Sequence, residues 1–210
     1  MNNNKGILLA LDLSIACTGL CIFDVDNEKL LEHHVIPLKK ATKKKYKGMY
    51  NVGVKEEDYR IFYNDTEKFH FVSENILKYT EPYREDIKWI CKESYAFGGS
   101  SLSRLAEQSG VCLYRLWKEH FIDFSNLITV APVSVKKVAT GSGNATKKEV
   151  MAGVHKRWGY GPEFWYSSDD CDAFVIGSIA MMVVNNSPSN KYEMELREKI
   201  IKNNNLKLEK

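Results

Sequence analysis

The sequence predicts an α/β fold: a mixed five-stranded sheet, three antiparallel strands followed by parallel ones, with helices on both faces. Short apolar runs bounded by turn residues open the chain and are typical of strands. Further short apolar runs then alternate with stretches of helical periodicity, a pattern that favours parallel strands joined by helices. With 210 residues, 44% of them hydrophobic and 27% charged, the chain is long enough to bury a large core in one domain.

The first two strands are predicted within Gly6–Asp26, where the apolar runs Ile7–Leu11 and Leu20–Val25 flank a small, polar link. We expect Gly19 at the tight turn between them. Asp12 ends the first run, and a carboxylate in a buried strand is costly to ionise unless a positive charge lies beside it. The side chain of Asp12 either caps the turn or belongs to a functional site.

The remaining elements follow from apolar runs and helical stripes bounded by Pro and Gly. Strands are predicted over 30–38, 86–91 and 127–131, and helices over 59–79, 101–120, 132–139, 147–158 and 168–184. After residue 185 the chain becomes polar and charged. We therefore expect one domain over 1–185 and a partly ordered C-terminal appendage over 186–210.

Charge and cysteine content restrict the class of protein. The net charge is only +3, but residues 39–58 hold seven lysines against three acidic residues. This basic loop insertion either binds a polyanion or keeps a solvated loop soluble.

No apolar run is long enough to span a membrane, and the first residues lack a secretory pattern, so a cytoplasmic location is expected. The five cysteines form no Cys-x-x-Cys pair and are expected to be reduced core thiols.

Four carboxylates fall at element ends that this fold would bring to one edge of the sheet. Asp12 ends the first strand, and Glu93 ends the fourth. Asp169 and Asp172 are three apart at the start of the last helix, so they share a face. The alternative is that they only cap the helix, because the helix dipole favours acidic residues in any first turn. Clustered carboxylates need cations, and oxygen ligands suit Mg²⁺ or Mn²⁺. Two such ions about 4 Å apart are the arrangement that cleaves phosphodiesters.

A candidate anion site lies in Val135–Lys148. Gly141 and Gly143 permit close backbone approach, and free amides at the following helix start, together with lysines, can bind a phosphate. The spacing is not that of a Walker loop. The alternative is a flexible connector with lysines that face solvent.

Together these residues resemble the RuvC-like Holliday junction resolvases of the RNase H-like superfamily, most closely those of bacteriophages. The resemblance covers about 7–185 in order. It rests on Leu9-Ala10-Leu11-Asp12-x-Ser14-x-x-x-Thr18-Gly19, on Glu93 before a Gly/Ser-rich loop, on Val135-Lys136 with Thr140–Lys147, and on Asp169-x-x-Asp172-Ala173.

The resemblance implies an RNase H-like fold and a Mg²⁺-dependent crossover junction endodeoxyribonuclease, active in recombination, repair or phage DNA processing in the (host) cytoplasm. Its homodimer would nick two opposed strands of a four-way junction. By resemblance, Asp12, Glu93, Asp169 and Asp172 would hold two Mg²⁺ ions, replaceable by Mn²⁺, and Lys147 would lie near the scissile phosphate. The dimer contact would be helix 101–120, through Leu102, Leu105, Cys112 and Leu116. The expected DNA contacts are Lys136, Lys137, Lys148, Lys43, Lys44, Lys45, Tyr95 and Phe97, with one of the two aromatics at the junction centre.

Substrate choice stays open, because the 39–58 insertion is longer than the family typically shows and residues beyond 185 have no family counterpart. The main alternative is a broader nuclease that debranches flaps and forks. A non-catalytic binder of branched DNA is another. A third is an actin-like ATP phosphotransferase, whose D-x-S-x-x-x-T-G hairpin would hold a phosphate but which needs a second related domain.

Overall fold

A mixed five-stranded sheet in the order β3-β2-β1-β4-β5 organises the chain. The structure is a computed structural model that describes residues 5–38, 62–95, 101–120 and 124–208. The strands are β1 (Ile7–Asp12), β2 (Cys17–Asp24), β3 (Lys29–Pro37), β4 (Ile87–Glu93) and β5 (Leu127–Val130). Strands β1, β2 and β3 form an antiparallel meander, and β1–β4 and β4–β5 are parallel. The predicted sheet is confirmed.

The position of Gly19 differs from the prediction. Gly19 lies inside β2, paired with Asp12 of β1, and residues 13–16 make the turn instead. A glycine is required here by packing against a helix and not by turn geometry, because a Cβ atom at this position would overlap the main chain of Asp169.

The described residues also form six α-helices. They are α1 (Asp65–Thr80), α2 (Leu102–His120), α3 (Pro132–Thr140), α4 (Lys147–Trp158), α5 (Ser168–Asn185) and α6 (Lys191–Asn204). Helix α1 begins at Asp65 because the side chain of Asn64 accepts a hydrogen bond from the Glu67 amide; residues 59–61 of the predicted helix lie outside the described residues. No helix in the described part of the chain is long and apolar enough to cross a bilayer.

Each face of the sheet carries its own core. Because side chains alternate along a strand, Leu9 and Leu11 of β1 face α1 and α2, whereas Leu8 and Ala10 face the layer formed by α3 to α6. Asp12 follows in the second series and therefore projects towards α5. Helix α5 is buried along most of its length, as its central place in this layer requires.

Helix α6 lies against the edge strand β5 and against α5. Leu196 and Ile200 are buried in the core. The Asn204 Oδ1 atom accepts hydrogen bonds from the main-chain amide and the hydroxyl of Thr129, at 3.0 and 2.7 Å. A side-chain amide thus replaces the next strand at the sheet edge. The division of the chain at residue 185 stays a prediction.

Candidate active site

Four carboxylates meet at one edge of the sheet. Strands β1 and β4 run parallel with Leu11 beside Lys92, so Asp12 and Glu93 end at the same edge. The first turn of α5 carries Asp169 and Asp172 to that edge. Each of Asp172, Glu93 and Asp169 acts electrostatically on Asp12, in that order of strength. The structure therefore brings together all four of the residues that the sequence singled out.

Burial and mutual repulsion disfavour the charged forms of these carboxyls. Burial is the largest cause of the raised pKa of Asp12, which is only 8% exposed, and the three neighbouring carboxylates raise it further. Burial, followed by the charge of Asp172, raises the pKa of Glu93 to about 7. Burial and Asp169 raise the pKa of Asp172 to about 6, although Lys147 opposes the change. The edge therefore favours positively charged ligands.

Gly19 is what allows α5 to approach. A Cβ atom at this position would overlap the main-chain carbonyl of Asp169 and the amide of Asp170. Because Gly19 is also the partner of Asp12 in the sheet, the missing side chain brings the start of α5 directly over the end of β1.

The start of α5 is fixed by the buried carboxylate of Asp170. Its oxygens accept hydrogen bonds from the main-chain amides of Tyr166 and Ser167, at 3.0 and 2.8 Å. His33 Nδ1, on β3, lies 2.8 Å from Asp170 Oδ2 and donates to it, since a carboxylate only accepts. The His33 ring stacks on Phe164 and Tyr166, with centroids 4.6 and 4.8 Å away. These contacts orient the first turn of α5.

Asp170 and His33 are absent from the sequence-based site. The pattern Ser167-x-x-Asp170 is a capping box, and it could have identified Asp170 as the capping residue of α5. Nothing in the sequence points to His33, which lies 137 positions away from its partner. Only the meander places it there.

Lys147 brings a positive charge to two of the four carboxylates. Its Nζ atom lies 2.8 Å from Asp169 Oδ1 and 3.5 Å from Asp172 Oδ2. Burial alone would lower the pKa of Lys147, but the hydrogen bond to Asp169 and the charges of both aspartates raise it overall. A capping box between Thr146 and Glu149 fixes the start of α4 and so places Lys147 in its first turn.

The donor set suits a hard divalent cation, because all four side chains offer only carboxylate oxygens. Within residues 5–38, 62–95, 101–120 and 124–208, however, no three His, Cys, Asp or Glu side chains form a group that could hold a metal ion as they stand. Carboxylates repel one another unless a cation lies between them. Here Asp169 and Asp172 are paired with the Lys147 ammonium instead.

The predicted lysines fall in different places. Lys136 is close enough to the site for its charge to lower the pKa of both Glu93 and Asp172. The Lys137 Nζ atom lies 4.1 Å from the ring centroid of Tyr192 on α6. Lys148 is exposed in the first turn of α4. Lys43, Lys44 and Lys45 lie outside the described residues.

The strand end at Glu93 carries a lysine that the sequence-based site omits. Lys92 is buried, and its Nζ atom donates to the main-chain oxygen of Glu93 at 3.3 Å and lies 4.3 Å from the ring centroid of Tyr95. Tyr95 is thus held at the same edge as the carboxylates. Phe97, the other predicted aromatic contact, lies outside the described residues.

Cys17 also lies at this edge. All five cysteines are free and four are buried, but Cys17 is half-buried. Burial, and then the charge of Asp169, raise the pKa of its thiol. It is a neutral neighbour of the carboxylates.

The predicted dimer seam on α2 is partly wrong. Cys112 and Leu116 are buried against this chain's own sheet, because an amphipathic helix covers its own core first. Neither side chain can contact a second protomer. The outer face of α2 instead exposes Tyr114 and Trp117, by 55% and 54%, with ring centroids 6.0 Å apart.

Solved structures with a similar fold identify the fold of this chain. No protein-family model and no curated protein matches the chain. The structure of RuvC from Thermus thermophilus is similar, with a TM-score of 0.55 and 17% identity, over 84% of this chain and 94% of that one. The T. thermophilus RuvC in complex with a Holliday junction substrate gives a TM-score of 0.56 and 16% identity, over 85% and 94%. The fold is RNase H-like, as in RuvC.

Proposed function

We propose that the protein is a Mg²⁺-dependent endonuclease that resolves Holliday junctions as a homodimer. The observation that carries the proposal is the meeting of Asp12, Glu93, Asp169 and Asp172 at one edge of the sheet. The fold adds support, because a similar structure was solved with a Holliday junction substrate.

The four carboxylates would hold two Mg²⁺ ions, which Mn²⁺ would replace. When bound, such ions supply an activated water and stabilise the leaving oxygen of a phosphodiester. The chain's own contribution is the rigid placement of the oxygens: Asp12 and Glu93 sit on neighbouring strands, and Asp169 and Asp172 sit on a capped helix.

Lys147 would act on the phosphate. Its ammonium group lies at the carboxylate edge, and 57% of the side chain is exposed. The ammonium can therefore donate to a phosphate oxygen that approaches from solvent. A cation at this point stabilises the negative charge that develops during cleavage. The product would carry a 5′-phosphate and a 3′-hydroxyl.

DNA would be bound through its backbone. Lys136 lies beside the carboxylates, and Lys148 is exposed on the same helix as Lys147. Such lysines bind phosphates without reading bases. Tyr95 offers an aromatic ring at the same edge, held by Lys92. Lys137, Phe97 and the lysines of 39–58 complete the proposed surface.

A second protomer would pack on the outer face of α2, where Tyr114 and Trp117 are exposed. Two aromatic side chains on one helix face are typical of the centre of a protein interface. Pairing through this helix would give two carboxylate sites per dimer, as nicking of two strands requires.

The experiment is a cleavage assay on labelled four-way, flap, fork and linear DNA, with Mg²⁺ or with a chelator. We expect Mg²⁺-dependent nicking of the four-way junction. Asp12→Asn should bind the junction and leave it uncut, and the control Asp24→Asn, at the other end of β2, should cut normally. Cleavage by Asp12→Asn at the wild-type rate would refute the proposal.

The same assay tests the second candidate, a broader debranching nuclease. Seven lysines in 39–58 favour it, because charge alone does not distinguish one branched backbone from another. Equal cutting of flaps, forks and four-way junctions would establish the broader activity. Binding without cutting in Mg²⁺ would leave a non-catalytic binder of branched DNA.

A further inference from the structure

The side chain of Gln108 connects helix α2 to the turn that follows β1 and to the start of β2. It is fully buried, and its Nε2 atom donates to the main-chain oxygen of Ser14 at 3.3 Å and to Thr18 Oγ1 at 3.2 Å. The amide nitrogen must face Ser14, because a carbonyl oxygen only accepts. Ser14 lies in the turn that follows Asp12, and Thr18 lies near the start of β2. Gln108 therefore links the turn to the strand that leaves it.

Besides Gln108, helix α2 buries the small polar side chain of Ser109 and the apolar side chains of Cys112 and Leu116. Gln108 precedes Cys112 and Leu116 at intervals of four residues, and both of these pack in the core. A leucine at position 108 would extend that stripe without burying a polar group. A buried amide is costly unless its hydrogen bonds are made. The Nε2 atom of Gln108 makes its hydrogen bonds with Ser14 and Thr18, whereas its Oε1 atom has no hydrogen-bond partner among the described residues. The favourable polar contacts of this side chain are therefore those with the turn and the start of β2.

The turn is connected to the carboxylate edge on both sides. Asp12 ends the strand that enters it, and Gly19 directly follows Thr18 in the strand that leaves it. Gly19 in turn contacts the main chain of Asp169. A shift of the turn would therefore move Asp12 and the start of α5 relative to each other.

We infer that Gln108 is a positioning residue that couples α2 to the carboxylate edge through Ser14 and Thr18. Its effect on cleavage rests on the proposed function. Its effect on the turn does not. Because α2 is also the proposed dimer helix, the same side chain links the protomer contact to the site.

The first test is local hydrogen exchange in Gln108→Met, which keeps the length of the side chain and removes its donors. Amides of residues 14–19 should exchange about tenfold faster, as expected for the loss of a hydrogen bond in a locally opening segment. Thr18→Val, which removes one acceptor with little change of shape, should act in the same direction. Ser109→Ala is the matched control: Ser109 is equally buried, and its hydroxyl makes no hydrogen bond to the described residues.

The second test is the Mg²⁺ dependence of cleavage. In Gln108→Met the concentration for half-maximal cleavage should rise about tenfold, as for other residues that orient metal ligands, while junction affinity in Ca²⁺ stays at the wild-type value. The double variant with Thr18→Val should be no worse than Gln108→Met alone, because both remove the same contact.

Unchanged exchange in residues 14–19, or the same change in Ser109→Ala, would overturn the inference. So would faster exchange in Gln108→Met with a wild-type Mg²⁺ dependence. A wild-type protein that cuts no DNA would refute the proposed function alone. Faster exchange in residues 14–19 together with weaker Mn²⁺ binding by Gln108→Met and Thr18→Val would then support the role of Gln108, and wild-type Mn²⁺ binding by both variants would overturn it.

Discussion

Gly19 and Asp169 are in main-chain contact: the space that a side chain on Gly19 would need is filled by the carbonyl group of Asp169. Since Gly19 is paired with Asp12, this contact joins the first strand pair to the helix that carries the other two carboxylates, Asp169 and Asp172. The edge of the sheet and the start of α5 are one packed unit.

Gly19→Ala should therefore disturb both stability and the site. The added methyl group forces α5 away from β2, and such overpacking costs about 1–3 kcal/mol. Urea denaturation measures the loss. Gly110→Ala is the control, because none of the residues that the structure describes comes within 4 Å of a Cβ at Gly110 and a helical alanine is favourable by about 1 kcal/mol. Equal stability of Gly19→Ala and wild type would contradict the contact.

Lys147→Met should slow cleavage about 100-fold at saturating DNA, the usual cost of losing one group that stabilises transition-state charge. Single-turnover kinetics measure it. Lys147 lowers the pKa of Glu93 and of Asp172, so its removal should also shift the pH profile towards higher pH. Lys156→Gln, exposed later on the same helix, should retain the wild-type rate and profile. A normal rate for Lys147→Met would exclude this role.

The carboxylates should make the protein less stable as the pH rises when divalent ions are chelated. The pKa of Glu93 is raised from 4.5 to about 7 and that of Asp172 from 3.8 to about 6. At a pH between the unfolded and the folded pKa of each group, the folded protein binds more protons than the unfolded chain. The free energy of unfolding therefore falls as the pH rises through this range. Urea midpoints measured from about pH 5 to about pH 7.5 should therefore decrease.

The variant Glu93→Gln should show a shallower decrease, because it removes one of the two titrating groups. Glu85→Gln, on the exposed turn before β4, is the control and should follow the wild-type curve. Added Mg²⁺ should restore stability at the higher pH in the wild type, since a ligand of the folded state stabilises it. A urea midpoint that rises with pH in the presence of the chelator would show that the pKa values of these carboxyl groups are not raised in the folded protein.

Asn204→Ala should destabilise the protein by about 1–3 kcal/mol, because it leaves the main-chain groups of Thr129 on the edge strand without their partner. Chemical denaturation measures the change, and light scattering reports self-association through the uncovered edge. Asn203→Ala, exposed on the same helix, is the matched control. A stability within error of the control would show that Asn204 does not protect β5.

The five strands, helices α1 to α5 and the four carboxylates could be predicted because each depends on a short stretch of sequence. Helix α4 spans the predicted residues 147–158, and the carboxylates follow from strand ends and the first turn of α5. Features that depend on packing between distant segments could not be predicted. The sequence predicts a turn at Gly19 because the residue that it contacts, Asp169, lies in another part of the chain. The stripe with Cys112 and Leu116 is the same whether it faces the sheet or a second protomer.

Helix α6 shows the same limit from the other side. Its sequence is charged and asparagine-rich, as in a disordered tail, and its few apolar residues, such as Leu196 and Ile200, become informative only against β5 and α5. His33 is likewise an ordinary strand residue until Asp170 is placed beside it.

Helix α5 serves two purposes at once. Its first turn presents Asp169 and Asp172, and from Ala173 to Val183 it is buried among the side chains that fill the protein interior. The first turn of α5 therefore cannot shift without disturbing the packing of the interior. The side chain of Lys147, in contrast, is 57% exposed, so it can change its rotamer without moving any buried group.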